Sequence, residues 1–322
     1  MRGKTEEAPF LSVIIPLYNE AENVAPLIEE LRETLPRLNL SFEVIAVDDG
    51  SKDETFAELK KEAEKHPFLK VIRFTRNYGQ TAALDAGMKN AKGEVIVAMD
   101  GDLQYDPADI ALLIEKYREG YQLVSGIREK RKDKWLLRRL PSYIANWLIR
   151  KLTGIRLHDF GCTLKLYSRE VVERINLYGE MHRFIPVFAA TATDTITEVP
   201  VHHRPRTRGK SKYGIDRTLR VLVDFLFLRF FSRHFTKPMH FFGKAGLLFI
   251  GLTILLLGIY FPLVFLRKGI VIANFALAFS VGSFILGIAL PFLGVLAEIL
   301  IRIYHKGESY YVIKERINLP QG

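Results

Sequence analysis

At 322 residues the chain is long enough for one large domain plus a smaller part, and its single cysteine, Cys162, excludes an intrachain disulfide and fits a reducing compartment. The net charge of +10 is not spread evenly: residues 128–156 carry +8 and residues 202–220 carry +6, so the remainder is net negative. Two basic patches of that kind call for an anionic partner, and the membrane segments met below favour lipid headgroups or a phosphorylated substrate over nucleic acid.

Residues 10–18 (FLSVIIPLY) read as a β-branched strand running into Asn19-Glu20, and residues 22–38 then carry a helical pattern at Val24, Leu27, Ile28, Leu31 and Leu35. A second strand over 42–47 ends in Asp48-Asp49-Gly50-Ser51. The next helix has Phe56, Leu59 and Ala63 on one face, and Ser51-x-x-Glu54 reads as its capping box. A third strand, 69–74, leads through Arg76-Asn77-Tyr78-Gly79-Gln80 into a small-residue helix over 81–91. A fourth apolar run starts at Val95 and stops abruptly at Asp100-Gly101-Asp102, with Gln104 close behind. This alternation predicts a parallel sheet with helices on both faces.

Three strands therefore end in polar clusters along one sheet edge. Ligands of open α/β sheets bind there, and paired aspartates suit a hard divalent ion shared with substrate phosphates. An acidic turn can also simply cap the following helix. A nucleotide fits this edge, since an aspartate accepts from a base or ribose and Gly50 and Gly79 let backbone approach the ligand. Neither G-x-G-x-x-G nor G-x-x-x-x-G-K-[ST] is present, which argues against a dinucleotide or Walker-type site.

Further on, residues 135–152 and 216–234 place apolar side chains on one helical face and Arg or Lys elsewhere, the pattern of helices lying on a membrane, although Pro141 interrupts the first. An ordinary domain helix with a solvated basic face has the same pattern. Residues 245–266 and 270–297 are uncharged for 22 and 28 residues, long enough to cross a bilayer twice as a hairpin. Five basic residues at its open end (Arg233, Lys237, Lys244, Arg302, Lys306) against Arg267 and Lys268 in the turn place both ends, and the large N-terminal domain, inside. No secretory signal is expected, because residues 1–9 are polar and the first apolar run reads as a strand. The expected parts are a domain over 1–215, a juxtamembrane amphipathic region over 216–240, a transmembrane hairpin over 241–304 and a cytosolic tail over 305–322. His158, His202 and His203 lack partners at zinc spacing, and Asp159 could orient His158.

The blocks at 14–20, 47–51, 76–80 and 100–104 resemble the signature of family 2 inverting glycosyltransferases of the GT-A fold. Those at 161–165, 179–186 and 206–213 resemble its polyprenyl-phosphate branch, which contains dolichol-phosphate mannose synthase and the undecaprenyl-phosphate sugar transferases. The resemblance covers nearly the whole chain. It implies a GT-A, mostly parallel sheet, and a site in which Asp48 and Asp49 contact base or ribose, Pro16, Tyr18, Glu20, Gly79 and Gln80 line the nucleotide pocket, and Asp100, Asp102 and Gln104 surround Mg²⁺ or Mn²⁺. It further implies that Arg128, Arg138 and Arg139 grip the acceptor phosphate, with Asp102, Arg128 and Arg139 catalytic, while Arg208, Lys210 and Ser211 close over the site. No Q-x-x-R-W block is present, which argues against processive polymer synthesis.

The implied reaction moves one sugar from a UDP- or GDP-linked donor to a polyprenyl phosphate at the cytosolic face of the cell membrane, in a multi-pass enzyme that can form a homo-oligomer and does not bind nucleic acid. A membrane-anchored transferase acting on a lipid hydroxyl or glycan is the rival enzyme, and a silent nucleotide-sugar-binding scaffold the rival of another class. Intact Asp100, Asp102 and Gln104 speak against the scaffold.

Overall fold

The computed structural model describes residues 8–128, 147, 149–151, 153–155, 157–175, 177, 185–190, 192–205, 238–266, 269–304 and 313–319. The chain divides into two compact units, Met1–Phe225 with Ser309–Gly322, and Leu226–Glu308.

The first unit is built on one eight-stranded sheet of order β7-β5-β6-β4-β1-β2-β3-β8. Its opening half follows the alternation read from sequence: β1 (Leu11–Leu17), α1 (Ala21–Thr34), β2 (Phe42–Asp48), α2 (Thr55–Lys65), β3 (Leu69–Phe74), α3 (Gln80–Asn90) and β4 (Val95–Ala98). β1 runs parallel to both β2 and β4, and β2 parallel to β3. These central strands are buried on both faces, which is why they read as unbroken apolar runs. On one face Leu11, Val13, Ile15 and Leu17 join a core with Val24, Leu27, Ile28 and Leu31 of α1, Leu59 and Ala63 of α2, and Ile110 and Leu113 of α4 (Ile110–Arg118). α3 covers the other face, with Thr81 through Met88 all buried. Its small residues allow that approach: a Cβ on Gly87 would lie 2.2 Å from Ile14 Cγ2.

Pro16 sits inside central strand β1 without breaking it. Ile14, two residues earlier and facing the same neighbour, is the last β1 residue paired with β4 and accepts Met99 N at 3.0 Å. The donor that Pro16 lacks would have pointed where β4 has already left.

The far half is mixed. β6 (Lys165–Ser168) is antiparallel to both β4 and β5 (Leu123–Arg128), so β5 points the same way as β4, and β7 (Ile196–Val201) runs parallel to β5. The carboxyl ends of β1, β2, β4, β5 and β7 therefore share one edge. At the opposite side of the sheet β8 (Ile313–Ile317) pairs antiparallel with β3. Residues set apart by sequence as a C-terminal tail thus supply the outermost strand.

The second unit contains two apolar helices, Pro238–Phe265 and Ile270–Tyr304, joined at Gly269 with φ +66°. Stretches of mean hydropathy 2.5 and 2.1 make both long and apolar enough to cross a membrane. Bulky side chains face outward, Phe265 and Phe292 among them, while the seam is made by small and hydroxyl residues. Thr253 Oγ1 donates to Ser283 Oγ at 3.0 Å, and Ser283 Oγ to the Phe249 carbonyl at 2.6 Å.

Candidate active site

The turns after β1 and β2 are laced together. Asn19, at φ +51°, donates its N–H to Ser51 Oγ at 2.9 Å, and its side-chain oxygen accepts Lys52 N at 2.8 Å. Glu20 N donates to Thr55 Oγ1 at 2.9 Å, and the Glu20 carboxylate accepts Asn23 Nδ2 at 2.6 Å. These bonds replace the expected capping box. The helix starts at Thr55, its cap Glu54 makes no side-chain bond, and Ser51 serves the neighbouring turn instead. Asp48 is fully buried, accepts Ser51 N at 3.0 Å, and lies 3.5 Å from Arg73 Nε.

Asp49 is 3% exposed and clamps the loop before α3. Its carboxylate accepts Tyr78 N at 2.7 Å, Gly79 N at 2.9 Å and Asn77 Nδ2 at 2.8 Å. The approach is so close that a Cβ on Gly50, at φ +65°, would fall 2.2 Å from the Arg76 carbonyl carbon, which only glycine avoids. Burial, and then the charge of Asp48, push the Asp49 carboxyl up to about 6 against the opposing pull of the Tyr78 and Gly79 amides. Sequence reasoning gave Asp49 to base or ribose; in the structure its carboxylate accepts three hydrogen bonds from the 77–79 loop.

The loop is linked in turn to the end of β4. Gln80 opens α3 and donates from Nε2 to Asp100 Oδ1 at 2.7 Å. Asp102, 8% exposed, accepts Gln104 N at 3.2 Å across Leu103, whose φ is +61°. Burial, and then the Asp102 charge, raise the Asp100 carboxyl to about 6. Two carboxylates on one turn, flanked by an amide side chain, make a set of hard oxygen donors suited to Mg²⁺ or Mn²⁺. Among the described residues no three His, Cys, Asp or Glu side chains cluster, so the remaining ligands would come from Gln104, substrate oxygens and water.

Arg128 ends β5 on the same edge, but its fork is held. Nε and Nη2 donate to the two oxygens of Asp159 at 2.7 and 2.8 Å, with the side chains 12% and 9% exposed. Asp159 pairs with Arg128, and His158 Nδ1 lies 2.8 Å from Glu198. Lys165 at the start of β6 stands opposite Ala98 of β4; burial lowers its pKa, and Nζ reaches the Phe160 carbonyl at 3.4 Å. Gln80, Asp100, Thr163 and Lys165 line one small pocket with Tyr167 and Ile185. After β7, His202 turns onto Asp109 (Nδ1 at 2.8 Å), and Arg204 bridges Glu30 and Asp106.

The structure thus brings Tyr18, Glu20, Asp48, Asp49, Gly79, Gln80, Asp100, Asp102, Gln104 and Arg128 to one sheet edge. Arg138, Arg139, Arg208, Lys210 and Ser211 lie outside the described residues, as do most of 135–152 and all of 216–234. Within the first of those segments, Trp147 and residues 149–151 are helical, and Lys151 Nζ sits 5.0 Å from the exposed Trp147 ring. Sequence reasoning did not single out Lys165, which lines the small pocket, or Arg204, which bridges two carboxylates. A lysine beginning an otherwise apolar strand was the available signal for the first, and none existed for the second.

The chain is similar to known proteins in sequence and in fold. The sequence profile described as Glycosyl transferase family 2 matches residues 12–175. A dodecaprenyl-phosphate galacturonate synthase of Rhizobium johnstonii is 38% identical over 312 residues, covering 95% of this chain and 92% of that protein. An undecaprenyl-phosphate 4-deoxy-4-formamido-L-arabinose transferase of Pseudomonas savastanoi is 36% identical over 255 residues, 78% of this chain and 72% of that one. Among solved structures, glucosyl-3-phosphoglycerate synthase from Mycobacterium tuberculosis, in complex with Mn²⁺, UDP and glucosyl-3-phosphoglycerate, matches at TM-score 0.53 and 19% identity over 70% of this chain and 80% of that one, which shows the shared fold. With half of the chain matching the family profile and a 38% identical relative spanning nearly all of it, the chain belongs to glycosyl transferase family 2.

Proposed function

We propose that this glycosyltransferase moves a single sugar, with inversion, from a nucleotide diphosphate sugar to a polyprenyl phosphate at the cytosolic leaflet of the cell membrane, using Mg²⁺ or Mn²⁺ held by Asp100, Asp102 and Gln104. The observation that carries it is the Asp100–Asp102 pair at the carboxyl end of β4, joined through Gln80 to the loop that Asp49 clamps. The acceptor class is supported by relatives whose names specify dodecaprenyl and undecaprenyl phosphate.

Asp48 and Asp49 build the walls that receive base and ribose, with Pro16, Tyr18 and Glu20 beside them. When bound, the divalent ion neutralises the charge developing on the departing diphosphate. The acceptor needs no dedicated base, because a phosphate monoester with a second pKa near ~6 is already largely dianionic. Arg138 and Arg139, with Arg208, Lys210 and Ser211, draw that phosphate in and align its oxygen for in-line attack. Arg128, paired with Asp159, contributes by fixing the 159–161 turn beside the site.

The test is a panel of labelled UDP- and GDP-sugars incubated with membranes carrying the chain, offering either polyprenyl phosphate or the corresponding polyprenol. Label should enter lipid only with the phosphate. Equal labelling of polyprenol, or label recovered in a glycan, would favour the hydroxyl-acceptor reading instead.

A further inference from the structure

We propose that Arg204 is a positioning residue for Gln104, holding it so that its amide oxygen is the atom offered to the divalent ion; this rests on the metal reading above. The segments that follow β4 and β7 meet in a two-way clasp. Arg204 N donates to the Gln104 carbonyl at 2.7 Å, and Gln104 Nε2 donates to the Arg204 carbonyl at 3.2 Å. A carbonyl only accepts, so the amide nitrogen has to face Arg204 and the amide oxygen has to lie on the other side. The usual O/N ambiguity of a glutamine is settled by its partner.

The clasp is held from outside the site. Tyr105 and His203 form an antiparallel bridge with their rings 5.3 Å apart, and Asp109 takes both His202 N at 2.6 Å and His202 Nδ1 at 2.8 Å. The Arg204 guanidinium reaches Glu30 of α1 at 2.9 and 3.0 Å through Nη1, and Asp106 at 2.7 Å through Nη2. Two carboxylates from separate elements thus fix one guanidinium, and the main chain of that same residue fixes Gln104. The pairs are partly exposed and worth little as stability. Their contribution is orientation, and partners that orient a metal's ligands commonly change metal affinity by about 10- to 100-fold.

The test is Mn²⁺ binding, with no substrate present, to the purified full-length protein in detergent, read from the free Mn²⁺ resonance. Gln104→Ala and Arg204→Ala should each weaken binding about tenfold. The double variant should be no weaker than Gln104→Ala alone, because Arg204 acts through Gln104. Glu30→Gln, a mild change remote from the donors, should shift affinity the same way by less, and carries the test if Arg204→Ala fails to fold. If Gln104→Ala weakens Mn²⁺ while Arg204→Ala and Glu30→Gln bind normally, or if the losses add, the role of Arg204 is overturned and the metal site stands. If Asp102→Asn and Gln104→Ala both bind as the native protein does, the metal reading itself falls, and this proposal with it.

Discussion

Arg128 and Asp159 share a two-pronged ion pair in largely buried surroundings, and removing one partner of such a pair strands the other's charge. Arg128→Ala should therefore cost about 3–5 kcal/mol, seen as a lowered denaturation midpoint in detergent. Undiminished stability with a selective loss of acceptor dependence would return Arg128 to the phosphate-gripping role. Asp49 makes a pH prediction. Its carboxyl is raised from 3.8 to about 6 by burial and then by Asp48, so the folded protein holds that proton more tightly than the unfolded chain. The contribution is fully present below about pH 4 and is lost as pH rises through about 6. At about 1.4 kcal/mol per pKa unit, its ceiling is ~3 kcal/mol. Urea unfolding of Asp49→Asn should show a flatter pH dependence between about 4 and 6; an unchanged slope would contradict the burial argument. Asp100 and Asp102 were legible in sequence because an apolar strand stops on them. The Arg204 triad was not, since Glu30 lies 174 residues from Arg204 and nothing local announces the pairing.

At the scale of elements, β1 to β4 and their helices were legible because doubly buried parallel strands write unbroken apolar runs. β8 was not: IKERI alternates weakly, and its reason for being a strand is the exposed edge of β3, whose unpaired groups it covers. In the hairpin, apolar length announced the helices, but composition alone did not reveal the seam. A Cβ on Gly246 would meet Pro291 Cδ at 2.6 Å and the Gly287 carbonyl at 2.8 Å, whereas Gly251 has nothing within 4 Å. Gly246→Leu should overpack the seam by about 1–3 kcal/mol and lower the midpoint of thermal unfolding, while Gly251→Leu should be silent. Equal tolerance of both would argue against this helix pairing.

For the whole molecule, one chain joins a glycosyltransferase unit to two helices long and apolar enough to cross a membrane. The orientation proposed from the basic residues at the open end of the hairpin predicts that a cysteine at Gly269 reacts with an impermeant thiol reagent applied from outside, and that one at Ser309 does not. Reversed labelling would place the catalytic unit on the wrong side for a cytosolic nucleotide sugar. The central claim is that Asp100, Asp102 and Gln104 support sugar transfer to a lipid phosphate. It is tested most directly by measuring polyprenyl-phosphate sugar formation in membranes carrying the native chain or Asp102→Asn at matched folded protein, with chelator and after Mn²⁺ or Mg²⁺ is restored. The native chain should form the lipid-linked sugar, lose it to chelator and regain it with metal, while Asp102→Asn, altered at a strand end and not in the packed core, stays folded and forms none. Product formed at the native rate in chelator, or by Asp102→Asn, would contradict the claim.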